Sequence, residues 1–215
     1  MESICDVDPH EDTYRVLYLD HDPMRSALYT VDRDIEPMLV SACQHLSNAW
    51  HSVGADYVLV DWCSPARHPE PTPPGETPWL RAARLHQRIF NQRKGMHPCS
   101  QWAASLGGNY AWLWENAMEL TALWRTIKGA PHALTPMVYT LEVMPPVLLT
   151  TSQDRSEPPV TAQPEYHVHT PDGLCVEAVD SWRRYYVKRR QGVLRWSARP
   201  VPDWLERRDN RYELK

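Results

Sequence analysis

NYAWLWENAMELTALWRTIK, residues 109–128, is the stretch that decides the fold class. Trp112, Leu113, Ala117, Leu120, Leu123, Trp124 and Ile127 recur at three- and four-residue spacing, which gathers them on one face of an α-helix. Gly129 follows at once and ends the helix, because glycine enters the left-handed region without a Cβ clash. Working outward, Trp79, Ala82, Ala83, Leu85, Ile89 and Phe90 repeat the pattern, with Arg81, Arg84, Arg88 and Arg93 on the wet side. Ile35, Met38, Leu39, Ala42, Leu46, Ala49 and Trp50 predict another helix, ending near Gly54. Asp22 and Pro23 read as the N-cap and first residue of a helix reaching about Val31. Pro131–Val143 and Leu174–Arg190 complete the helical set. The expectation is a mainly α chain, one helical-bundle domain over residues 1–215.

One or two short strands are expected beside the helices, Tyr14–Leu19 and, as a candidate second, Tyr57–Val60, from their β-branched and aromatic content. Residues 64–78 and 150–171 are dense in proline and polar residues, so both are expected as exposed irregular loops, the second a candidate lid. Residues 191–215, carrying Trp196 and Trp204, are expected to dock back as a tail. The chain has ten Trp and ten Tyr but one Phe, so its aromatic surface carries N–H and O–H groups that need partners when buried. Five scattered cysteines, no Cys-x-x-Cys, no signal peptide and no long apolar run predict a reducing cytoplasm and no membrane span.

Candidate chemistry concentrates just before the deciding helix, in His97-Pro98-Cys99-Ser100-Gln101-Trp102-Ala103. Pro98 biases His97 away from helical angles, so residues 96–99 are expected to be non-helical. His97 and Cys99 can be read as a base and a thiol nucleophile, or as a pocket or capping histidine beside a packed thiol. A zinc site would need tight ligand pairs. Only His97-x-Cys99 and His167-x-His169 approach that spacing, so neither metal nor other cofactor is expected. Asn109 reads as the N-cap of the helix or as a substrate-binding amide. Asp20 and Asp22 can hold Mg²⁺ or simply build a turn and a cap.

The net charge is −4, with acidic residues concentrated before residue 37 and basic ones from Arg183 onward. Trp182, Arg183, Arg184, Tyr185 and Tyr186 join basic and aromatic groups on one predicted helix. Arginines there can neutralise phosphates while Tyr185 stacks on a base. The alternative is an amphipathic helix with Val179, Trp182 and Tyr186 inward and its arginines in water.

In order along the chain, several elements resemble a family of small proteins encoded largely by bacteriophages. Leu19-Asp20-His21-Asp22-Pro23 matches its Asp-x-Asp-Pro element, and His97 to Trp102 with Asn109 to Leu113 matches its central His-Pro-Cys-x-x-Trp-Ala and Asn-Tyr-x-Trp-Leu motif. Trp182 to Tyr186 and the closing Trp196 with Pro202-Asp203-Trp204 follow. His132 falls where the family pattern has a histidine, although the charged run before it is replaced by Trp124 to Gly129.

The resemblance implies a phage accessory protein in an infected cell. The leading expectation is an enzyme acting on a nucleotide or on a base in DNA. Its pocket would join His97, Cys99 and His132 as chemistry-bearing groups to Asn109, Tyr110, Trp102 and Asp20, with Arg183, Arg184 and Tyr185 holding the nucleic acid. The rival is a non-catalytic protein that binds nucleic acid or a host protein, its aromatic clusters serving as core and contact surface.

Overall fold

A computed structural model describes residues 15–52, 97–189 and 194–206. Its α-helices are α1 (Pro23–Tyr29), α2 (Ile35–Ser52), α3 (Pro98–Ala103), α4 (Gly107–Lys128), α5 (Thr135–Thr140), α6 (Ala178–Arg189) and α7 (Asp203–Glu206). Short 3₁₀ turns lie at Asp32–Asp34, Pro146–Thr150 and Pro164–Tyr166. The chain is mainly helical, as the spacing predicts. The predicted helix at 79–90, the strand at 57–60 and the loop at 64–78 lie outside the described residues.

The long helix α4 is the centre of the packing, with α1 and α2 both lying against it and α3 against α2. Trp50, Trp112, Tyr110, Leu39, Leu46 and Leu113 are fully buried between them, continuous with Trp182, Tyr185 and Tyr186 of α6. Local signals set the helix ends. Asp22 accepts the backbone N–H of Arg25 at 2.9 Å and Pro23 opens α1, while Gly129 closes α4 at φ 72°.

Residues 15–20 are buried, yet no strand occurs among the described residues. Side chains do there what a sheet would have done. Ser26 Oγ accepts from Leu19 N–H and donates to Leu17 O, each at 3.0 Å, Ser41 Oγ donates to Arg15 O at 2.7 Å, and Arg183 Nε donates to Leu19 O at 2.9 Å. With these groups satisfied, the apolar segment is buried without a neighbouring strand among the described residues.

Several helix boundaries differ from the sequence reading, and α6 begins at Ala178, not Leu174. Pro98 excludes His97 from the helix but opens α3 itself, with the His97 ring accepting Cys99 N–H at 3.2 Å as a cap. Leu106, not Asn109, is the N-cap of α4, so Asn109 lies in its first turn. The helix expected over 131–143 is only α5. His132 Nδ1 accepts the backbone N–H of Leu134 and holds a turn instead, and Leu141 ends α5 before the Pro145-Pro146 pair.

Much of the 150–171 stretch is irregular and exposed, but its first part is fixed to the helices. A Cβ on Gly108 would stand 2.3 Å from the carbonyl oxygen of Gln153 and 2.4 Å from that of Asp154. Glycine is what allows that backbone to cross the start of α4. Downstream, the segment 194–206 docks on α1: Trp196 Nε1 donates to Tyr29 O at 2.9 Å, and Ser197 N–H donates to Asp32 at 3.0 Å.

Candidate functional site

Chemistry-bearing side chains converge where α2 meets the start of α3. His45 is fully buried, its Nε2 lying 3.1 Å from Ser41 Oγ and its Nδ1 2.8 Å from Ser100 Oγ. Ser41 donates its proton to Arg15 O, so it accepts from His45 Nε2–H. Asn48 Nδ2 donates to Ser100 Oγ at 3.1 Å, which leaves the Ser100 proton for His45 Nδ1. The partners thus assign the tautomer, with the proton on Nε2 and the lone pair on Nδ1.

His97 stacks on His45 with ring centroids 5.1 Å apart. Cys99 lies beside them, and the ligand atoms of His45, His97 and Cys99 are all within 4.8 Å of one another. Burial pushes the Cys99 thiol up to about 11, against the opposing backbone N–H of Val16. Alone, that thiol stays protonated and is a poor nucleophile at neutral pH. Burial holds His97 below its ordinary range, so its imidazole is favoured neutral.

The other residues of the predicted pocket are engaged separately. Asn109 is fully buried; its Nδ2 lies within 3.1 Å of Trp102 O, Ser105 Oγ and Ser156 Oγ, and its Oδ1 accepts Ser156 N–H at 2.9 Å. Trp102 donates to Ser156 O, so both side chains hold the 150–162 segment. Tyr110 OH accepts from Trp50 Nε1 at 3.1 Å and donates to Leu141 O at 2.9 Å, and burial raises its pKa. His132 meets the face or edge of Trp124 with centroids 4.7 Å apart, and lies 3.8 Å from Glu36. None of these partners is shared with His97.

Tertiary contacts also correct the reading of Asp20 and of the basic helix. Asp20 is buried between Arg25 at 3.1 Å and Arg183 at 3.3 Å, so its charge is already met by two guanidinium groups. Arg183 spends its remaining face over Trp204 at 5.4 Å, and Arg184 donates to His167 O at 3.0 Å. Tyr185 is 1% exposed and packs edge-on against Tyr166 and Trp182, with Arg15 over its ring. It offers no free face to a base. Tyr186 is equally buried and donates to Asp34 at 2.9 Å.

Ser41, His45 and Asn48 are absent from the sequence reading, and Ser100 enters it only as part of the His97–Ala103 stretch, with no role of its own. A signal for Ser41, His45 and Asn48 existed: they are spaced as one stripe of α2, so a polar stripe borders the apolar one. Nothing local ties that stripe to Ser100.

The burial of the two histidines carries a stability prediction. Desolvation holds His132 low, with Glu36 opposing, and also holds His97 low. Their lowered folded-state pKa means that the unfolded chain takes up protons first as pH falls below about 6.5. Stability is therefore full above that value and falls as pH drops toward the folded-state values. Urea midpoints should be lower at pH 5.5 than at 7.5, and His132→Gln should flatten that slope. An unchanged slope in the variant would show that His132 is equally easy to protonate when folded.

No protein-family model, curated protein or solved structure matches the chain.

Proposed function

We propose that this chain is a non-catalytic accessory protein whose partner is another protein. The observation that carries the reading is the fate of the expected pocket: Asn109, Tyr110, His132, Asp20 and Tyr185 are buried, each satisfied by a different set of internal partners. Groups so engaged serve architecture, since a ligand would have to break those contacts before gaining its own. Meanwhile Tyr139, Val147 and Leu149 stand 40%, 48% and 65% exposed along one short stretch of chain. Exposed aromatic and aliphatic side chains of this kind supply the apolar centre of a protein interface. The phage resemblance favours a host protein of the infected cell's cytoplasm as that partner.

Catalysis, the second reading, has one supporting observation, which bears on the chemistry and leaves the nucleotide to the phage resemblance. Ser100 Oγ donates to His45 Nδ1 at 2.8 Å while Ser41 orients the far nitrogen, which is the order nucleophile, base, orienter. Ser100 is fully buried, so substrate would reach it only after α3 moved.

Purification from host cells tests the choice. The wild-type chain is expected to retain one defined protein in stoichiometric amount, and Leu149→Ser and Tyr139→Ser are expected to lose it with their own melting unchanged. Nucleotides and short DNA or RNA at low salt should leave melting unaltered. A nucleotide that raises the melting temperature, with no protein retained, would overturn the proposal in favour of the enzyme reading.

A further inference from the structure

We propose that His45, His97 and Cys99 form a zinc site that ties α2 to the start of α3. This goes beyond the partner reading and does not depend on it. Among the described residues, these three form the group of His, Cys or carboxylate side chains whose ligand atoms cluster, all within 4.8 Å of one another. Two imidazole nitrogens and one sulfur are a borderline-soft donor set, which suits Zn²⁺ and not the oxygen-seeking Mg²⁺ or Ca²⁺.

Distance and surroundings agree with that assignment. Zinc bonds of about 2.0–2.3 Å in a tetrahedron place neighbouring donors roughly 3.3–3.7 Å apart. Closing the observed cluster around an ion therefore asks for movements of about 1 Å. Ligand histidines are normally oriented by a partner on their other nitrogen. His45 has such a partner, because Nε2–H donates to Ser41, itself anchored on Arg15 O. The lone pair on Nδ1 accepts from the Ser100 hydroxyl, and Ser100 keeps Asn48 when that bond is given up.

His97 makes the larger adjustment. It leaves its stack on His45 and surrenders the 3.2 Å contact with Cys99 N–H. His97 is half-buried, so it can adjust more easily than His45 and Cys99, which are fully buried in the core. Binding forms two nitrogen–zinc bonds and one sulfur–zinc bond, and the Cys99 proton passes to solvent. The described residues leave a fourth coordination position to be filled by water.

The test uses the full chain, stripped with chelator and titrated with Zn²⁺ or Co²⁺. One equivalent should bind with a rise in melting temperature, and Co²⁺ should give thiolate-to-metal charge-transfer absorption in the near ultraviolet. Cys99→Ala should abolish that absorption, while Cys43→Ala and Cys175→Ser keep it. His97→Gln, a change at the half-buried ligand, should weaken Zn²⁺ binding by more than the roughly 10–100-fold typical when a residue that only orients a ligand is lost, and serves if the cysteine variant fails to fold. Ser41→Ala should weaken it about 10–100-fold with the charge-transfer absorption retained, as a positioning residue does. No binding, binding without charge transfer, or charge transfer that survives Cys99→Ala would each overturn the site.

Discussion

Replacing Arg199 with methionine should destabilise the fold by about 3–5 kcal/mol, the usual loss when one member of a buried ion pair is removed. The Arg199 side chain is 3% exposed and meets Asp32 at 2.8 Å, with Asp32 itself 17% exposed. Its other donors reach Leu28 O, Thr30 O and Ser197 O, so three carbonyls lose a partner along with the carboxylate. For Asp32, burial favours the neutral acid, but hydrogen bonds from Ser197 and the Arg199 guanidinium outweigh it and hold the carboxyl below its ordinary range. The stabilisation from this pair is present above about pH 3.9 and fades as pH falls through the lowered folded-state value. Urea denaturation would measure the loss. Hydrogen exchange should locate it in residues 194–206 and the end of α1. Unchanged stability and protection would mean that the tail is not held by this clamp.

Asn109→Ala should cost about 2–3 kcal/mol, because a buried amide worth roughly 1 kcal/mol per net hydrogen bond is deleted from the corner between α3 and α4. Its Oδ1 holds Ser156 N–H, and its amide protons are shared among Trp102 O, Ser105 Oγ and Ser156 Oγ. Trp102 reaches the same Ser156, so the loop should loosen as a unit when Asn109 is lost. Faster proteolysis within 150–162 is the expected accompaniment. A substrate-binding amide predicts the opposite pattern, with stability kept and ligand affinity lost, so melting and ligand titration together separate the two roles.

The contrast between Asn109 and Trp112 shows where the sequence was legible. Trp112 belongs to a seven-position apolar stripe, and burial of that stripe follows from the 3.6-residue repeat whatever the stripe packs against. It is indeed buried, at 1% exposure. Asn109 breaks no pattern and advertises no partner. A polar side chain near a helix start fits a cap, a ligand contact or a loop anchor equally well, and only the arrival of Ser156 from 47 positions away selects the last.

Local chemistry thus determined the helices: the apolar repeats of α2 and α4, the Asp22-Pro23 start of α1, the Gly129 stop and the exclusion of His97 by Pro98. These signals act within one or two turns of chain, so no knowledge of the rest of the molecule is needed to read them. Tertiary structure alone decided which polar groups meet. It satisfied the backbone of residues 15–20 with side chains from distant helices, turned Arg183 and Tyr185 inward, and stacked His45 on His97 across 52 positions of sequence. A buried polar group must find a partner, but which partner depends on how distant helices dock. That is why the helices could be read one by one, and the His45–His97–Cys99 centre could not.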